Sequence, residues 1–146
     1  MRKYKYFELD EFIRSDTAKK KGIDNTPTFE IVEHLDRLVN EFLDPLRAAY
    51  GMPIRISSGY RCPDLNKAVN GSPTSVHMLG YAADLQVGGS FNKFRDFVVE
   101  WVKKTGTKFD QILLESNTKT GAKWIHIGLF NNAGQQRGQI KVMQVQ

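Results

Sequence analysis

The segment from Lys123 to Leu129 alternates in character, with Ile125, Ile127 and Leu129 on one side and Trp124, His126 and Gly128 on the other. A strand sends successive side chains to opposite faces, so this one has a core face and a second face that carries His126. Phe109 to Glu115 reads as its partner strand. Asn117 to Gly121, between them, has turn composition, which makes the two an antiparallel hairpin. Tyr81 to Val87 alternates too, turning Ala82, Asp84 and Gln86 away from Tyr81, Ala83, Leu85 and Val87. Pro53 to Ser57 is a further strand, followed by the irregular run Ser58-Gly59-Tyr60-Arg61-Cys62-Pro63.

Helical periods surround these strands. Ile31, Leu35, Leu38, Phe42 and Leu46 recur every three to four residues and stop at Gly51. Thr26 is expected as the N-cap with Pro27 at the first helical position, and Pro45 should kink the helix or start a new turn. Phe94, Phe97, Val98, Trp101 and Val102 mark a second amphipathic helix, stopped by Gly106. Asp64 to Val69 fits a short helix closed by Asn70-Gly71, and Phe7, Leu9, Phe12 and Ile13 pack a short first one ahead of a loop from Lys19 to Asn25. A hairpin following helices, without regular βαβ alternation, implies an α+β fold. Its helices cover one face of a mainly antiparallel sheet and leave the other open for chemistry.

At 146 residues, 40% of them hydrophobic, the chain is expected to form one domain over 1–146. The lone Cys62 excludes an internal disulfide and any zinc site built from several thiolates. A metal would have to use His and carboxylate ligands. No window reaches the ~18 apolar residues of a membrane span, and the amino terminus lacks the apolar core of a signal peptide. The chain is therefore expected to be cytoplasmic as synthesised. The formal charge of +5 weakly favours an anionic partner, and Lys19-Lys20-Lys21 reads as a solvated face. No helix combines clustered Arg and Lys with stacking aromatics, so nucleic acid is not expected as a partner.

Of the three histidines, His34 falls among polar helix positions and reads as surface, whereas His77 and His126 stand out with Asp84. On one helix, His77 and Asp84 would lie about 10 Å apart along the axis, too far to share an ion. Gly80 lets the chain bend between them, and Ala82 and Ala83 permit close approach. Two neutral imidazoles and one carboxylate leave zinc a net positive charge and an open fourth position, the arrangement of a catalytic site. Hydrolysis of a peptide or ester is the chemistry expected.

The motifs Ser57-Ser58-Gly59-Tyr60-Arg61, Leu65-Asn66, Asn70-Gly71-Ser72, Ser75-x-His77-x-x-Gly80-x-Ala82-x-Asp84 and Trp124-Ile125-His126-Ile127 occur in this order. In them the chain resembles the zinc D-Ala-D-Ala carboxypeptidase family, which includes phage L-alanyl-D-glutamate endolysins. Gly22 to Pro27 and Leu43-Asp44-Pro45-Leu46-Arg47 resemble its smaller phage and prophage members. The resemblance implies a hedgehog-like, DD-peptidase-like α+β fold with its metal site on the open face of the sheet. One Zn²⁺ per chain would be held by His77, Asp84 and His126. The implied reaction is hydrolysis of peptidoglycan stem-peptide amides by a zinc-bound water, as a D,D-carboxypeptidase or an endolysin-type endopeptidase. Arg61 matches the family arginine that contacts substrate, with Ser75 as a second substrate-orienting candidate.

One position departs from that pattern. Many relatives carry an acid three residues before the last histidine, where this chain has Lys123. Glu115 is the replacement general base if the hairpin pairs Glu115 with Trp124 and Leu113 with His126; a slip of one residue turns it away. Lys123 thus leaves open a non-catalytic, wall-binding zinc module, and Cys62 beside Arg61 leaves open a thiol-dependent hydrolase. The expected enzyme is a monomer acting on stem peptides, either released to the cell wall during phage lysis or working as a cytoplasmic recycling enzyme.

Overall fold

The computed structural model describes residues 4–145. Five strands build the sheet: β1 (Arg55–Ser58), β2 (Ala82–Gln86), β3 (Gln111–Asn117), β4 (Lys123–Gly128) and β5 (Gln139–Val145). Their order is β1-β2-β4-β3-β5, antiparallel at every pairing except the parallel β3/β5 edge. The fold is α+β with a mostly antiparallel sheet, as the periodicities imply.

Apolar side chains on one sheet face meet the helices. Ile112, Ile125, Ile127 and Leu85 are fully buried with Leu35, Leu38, Phe42 and Leu46 of the first long helix and Phe94 and Val98 of the last. That first helix starts later than expected. Thr28, not Thr26, is its N-cap, accepting the Ile31 N–H at 3.3 Å, because the Asp24 carboxylate already occupies the N–H and hydroxyl of Thr26. The helix then runs as α-helix over Phe29–Leu38, widens to a π-turn over Val39–Leu43 and resumes over Asp44–Tyr50. Pro45, which has no N–H to donate and crowds the preceding turn, accounts for the widening just before it. Gly51 and Gly106, at φ 77° and 68°, close this helix and the one over Phe91–Thr105.

Two further segments differ from the sequence reading. Asp16–Lys21 is helical and takes in the first three residues of the loop expected over Lys19 to Asn25: Ser15 caps it by accepting the Ala18 N–H, Ala18 is buried, and Gly22 ends it. Lys19 to Lys21 sit exposed in its last turn, where the helix dipole favours cations. Strand β5 has no counterpart among the elements that periodicity implies. No described helix is long and apolar enough to cross a membrane.

Candidate metal centre

Strand register lays out the floor of the open face. Asp84 of β2 stands opposite His126 of β4, which stands opposite Leu113 of β3. One row further, Trp124 of β4 stands opposite Glu115 of β3, with Met143 of β5 beyond it. This is the pairing that puts Glu115 on the same face as His126. The face forms the floor of a cleft of about 730 Å³ that includes Arg61, Ser75, His77, Asp84, Glu115 and His126 in its lining.

His77 arrives from a 3-10 turn, Val76–Leu79, which Ser75 caps by accepting the His77 N–H at 3.2 Å. Gly80 closes the turn at φ 78°, and a Cβ there would lie 2.9 Å from the Ile31 carbonyl oxygen. Only glycine fits that combination of left-handed backbone and close approach.

His77 Nδ1 lies 2.7 Å from the Gly59 carbonyl oxygen. A carbonyl only accepts, so Nδ1 carries the proton and Nε2 is left as a lone pair. That lone pair faces Asp84 Oδ1 at 3.3 Å, and the same oxygen lies 3.0 Å from His126 Nδ1. Ligand atoms of the three residues all lie within 4.8 Å of one another. Tetrahedral zinc with bonds of about 2.1 Å separates its ligand atoms by about 3.4 Å, so the donor set and its spacing fit the ion. A lone pair facing a carboxylate oxygen, buried and with no proton between them, is unfavourable until a cation sits there.

The charges are arranged accordingly. Burial pushes His77 below its ordinary pKa against the pull of Asp84, which keeps the imidazole neutral. Burial alone would raise the Asp84 carboxyl, but positive charge and N–H donation from His77 and His126, wherever those rings carry the proton, outweigh it and draw the group well below the usual carboxylate range, so this oxygen is built to face a cation. Glu115 shifts the other way: burial and the nearby Asp84 charge raise it, opposed by His126, the Trp124 N–H and Arg61. Burial lowers Arg61, while Asp84 and Glu115 pull it back up. Arg61 Nη2 donates to Ser75 Oγ at 3.3 Å, and its buried Nε has no partner among the described residues. Both bonds to Ser75 Oγ use it as an acceptor, so they leave its hydroxyl proton uncommitted.

Lys123 lies outside this cleft. It is exposed, with Nζ 6.0 Å from the Phe91 ring centroid, and lines a separate depression with Arg55 and Gln86. Cys62 packs against the hydrophobic core and does not line the cleft. His34 is not a plain surface residue: Nδ1 lies 2.6 Å from the Leu79 carbonyl oxygen and the ring stacks on Tyr81 at 4.0 Å, tying the first long helix to the His77 turn.

Three contributions escaped the sequence reading. One is the Gly59 carbonyl. Another is the Trp124 indole, whose Nε1 donates to Glu115 Oε2 at 2.7 Å. The third is the buried Asp110, held bidentately by Arg137 at 2.7 and 2.9 Å, which anchors the approach to β5. Of these, only Trp124 carried a signal, its place two residues before His126 on the same strand face.

A family model described as Peptidase M15 matches residues 5–128, which takes in every residue of the cluster and leaves β5 outside. No curated protein matches the chain.

Proposed function

The chain belongs to the peptidase M15 family, whose members are zinc metallopeptidases, and from that premise we propose that it hydrolyses stem-peptide amide bonds of peptidoglycan. The reading extends to a D,D-carboxypeptidase or an endolysin-type endopeptidase, and the masses of fragments from defined muropeptides tell those two apart. The observation that carries it is the convergence of His77 Nε2 and His126 Nδ1 on one oxygen of Asp84, at 3.3 and 3.0 Å, inside an open cleft.

His77, Asp84 and His126 would hold one Zn²⁺. When bound, the ion supplies a Lewis acid that polarises the scissile carbonyl and acidifies a water. Glu115 accepts a proton from the attacking water and delivers it to the leaving amine as the C–N bond breaks. Burial and the Asp84 charge raise its pKa, the direction that suits a group that must both take and give a proton. Arg61 brings a fixed positive charge and a buried Nε–H, unpartnered among the described residues, to the cleft, matched to an oxyanion or a substrate carboxylate. Ser75 holds that guanidinium in place.

The test begins with metal analysis of the purified protein, followed by incubation with purified sacculi with and without chelator. About one zinc per chain and chelator-sensitive release of amino groups are expected. Absence of metal, or release indifferent to chelator, overturns the proposal. Glu115 within the cleft and Lys123 outside it support the catalytic reading over a non-catalytic wall binder.

A further inference from the structure

The Glu115 side chain makes a single hydrogen bond among the described residues, from the Trp124 indole at 2.7 Å. The bond is built into the sheet. Trp124 and Glu115 are direct cross-strand partners, and the adjoining pair on the same face is His126 and Leu113. One strand therefore delivers His126 and, two residues earlier, the group that grips Glu115. A register slip would lose both together.

The chemistry of the indole suits the task. Its N–H can only donate, and it carries no charge at any working pH. It satisfies Oε2 without competing for the proton that Glu115 would carry, and it leaves Oε1 as the oxygen for the attacking water. A glutamate has three side-chain torsions, and Arg61 exerts an attraction on this one. Without an anchor, the carboxylate is free to turn toward that guanidinium and away from the metal ligands.

We propose that Trp124 is a positioning residue, whose indole N–H holds Glu115 Oε2 so that Oε1 faces the reacting water. The inference rests on the reading of Glu115 as the proton-transferring group. Hydrogen bonds to charged groups carry free energies corresponding to about 10- to 100-fold in rate.

Two experiments test it. The first is a double-mutant cycle on the zinc-loaded protein with a defined muropeptide. Trp124→Phe should lower kcat about tenfold or more while KM and zinc content stay within about twofold. In a Glu115→Gln background the same change should cost nothing further. Equal losses in both backgrounds, or a loss confined to KM, overturn the proposal. If Glu115→Gln itself leaves the rate intact, the role of Glu115 fails instead. The second experiment needs no activity. Of the two tryptophans, the indole N–H resonance that disappears in Trp124→Phe belongs to Trp124. In Glu115→Ala that resonance should shift and exchange faster with solvent; an unchanged resonance means the bond does not form and the proposal falls.

Discussion

Gly59→Ala tests whether a backbone carbonyl orients the first candidate ligand, His77. A Cβ at Gly59 would lie 2.5 Å from the Phe12 carbonyl oxygen and 2.6 Å from the Phe12 Cα. Ordinary contacts between carbon atoms are about 3.5–4.0 Å, so something must retreat by about 1 Å. Phe12 cannot yield cheaply: it is fully buried, and its carbonyl accepts the Tyr60 N–H at 2.6 Å. The displaced segment then includes the Gly59 carbonyl, now 2.7 Å from His77 Nδ1. Moving that oxygen by about 1 Å stretches the bond past useful length. Overpacking costs about 1–3 kcal/mol and the lost hydrogen bond about 1 more, a total of about 2–4 kcal/mol. For a chain of this size that lowers Tm by about 4–16 °C. Freeing the imidazole should also weaken zinc about 10- to 100-fold, as losses of such supporting bonds do. Thermal unfolding of the zinc-free protein reads the first effect and competition with a chromophoric chelator the second. Gly88→Ala is the control, since nothing lies within 4 Å of its Cβ position. Unchanged stability refutes the steric argument, and a lower Tm with wild-type zinc affinity refutes the claim that this carbonyl orients His77.

Asp84→Asn should reduce bound zinc to well under one equivalent, as measured by metal analysis after dialysis. Glu115→Gln should keep the zinc and lose about 10²–10⁴ in kcat on a defined muropeptide. Lys123→Ala should leave kcat/KM within about twofold, because the side chain is exposed and faces a different depression; a large fall would show that it reaches the reaction after all. Burial pushes the Asp110 carboxyl up, but Arg137 outweighs it and holds the group below its ordinary value. The folded state thus binds that proton more weakly than the unfolded chain, and the pair stabilises fully only above about pH 4, where the unfolded carboxyl is ionised. The wild-type advantage over Asp110→Asn in urea midpoint should be largest near neutrality and shrink as the pH falls below that point; a gap independent of pH counts against the ion pair.

The parts of this molecule that were legible in the sequence are those where one side chain had to choose a face. The alternation around Ile125 and Ile127 separates core from cleft, and it places Trp124 and His126 on the open side whatever the neighbouring strand does. The hairpin register was not fixed in that way, because Glu115 and Leu114 are both credible at a half-buried sheet position; tertiary packing of Ile112 against the helices selects it. Strand β5 was illegible for a related reason. Gln139 to Val145 mixes Lys141 and two glutamines with exposed Val142 and Met143, so it shows no core face. It is placed instead by backbone bonds to β3 and by Arg137 gripping Asp110, 27 residues earlier.

The same distinction explains why the candidate ligands were visible and their supports were not. A ligand needs a particular functional group, so His77, Asp84 and His126 mark themselves by type and by facing away from the core. The atoms that hold them are mostly main-chain: the Gly59 carbonyl on His77 Nδ1, and the His77 carbonyl that accepts the Arg61 N–H at 3.1 Å. Every residue carries a carbonyl, so side-chain chemistry cannot single these out. What the chain does record is the need for room. Gly59 passes within contact distance of Phe12, and Gly80 does the same against Ile31. Both glycines are points where only the smallest residue lets the supporting backbone come close enough. In a site of this kind they are as constrained as the ligands, and substituting either should disturb metal binding without removing a single donor atom.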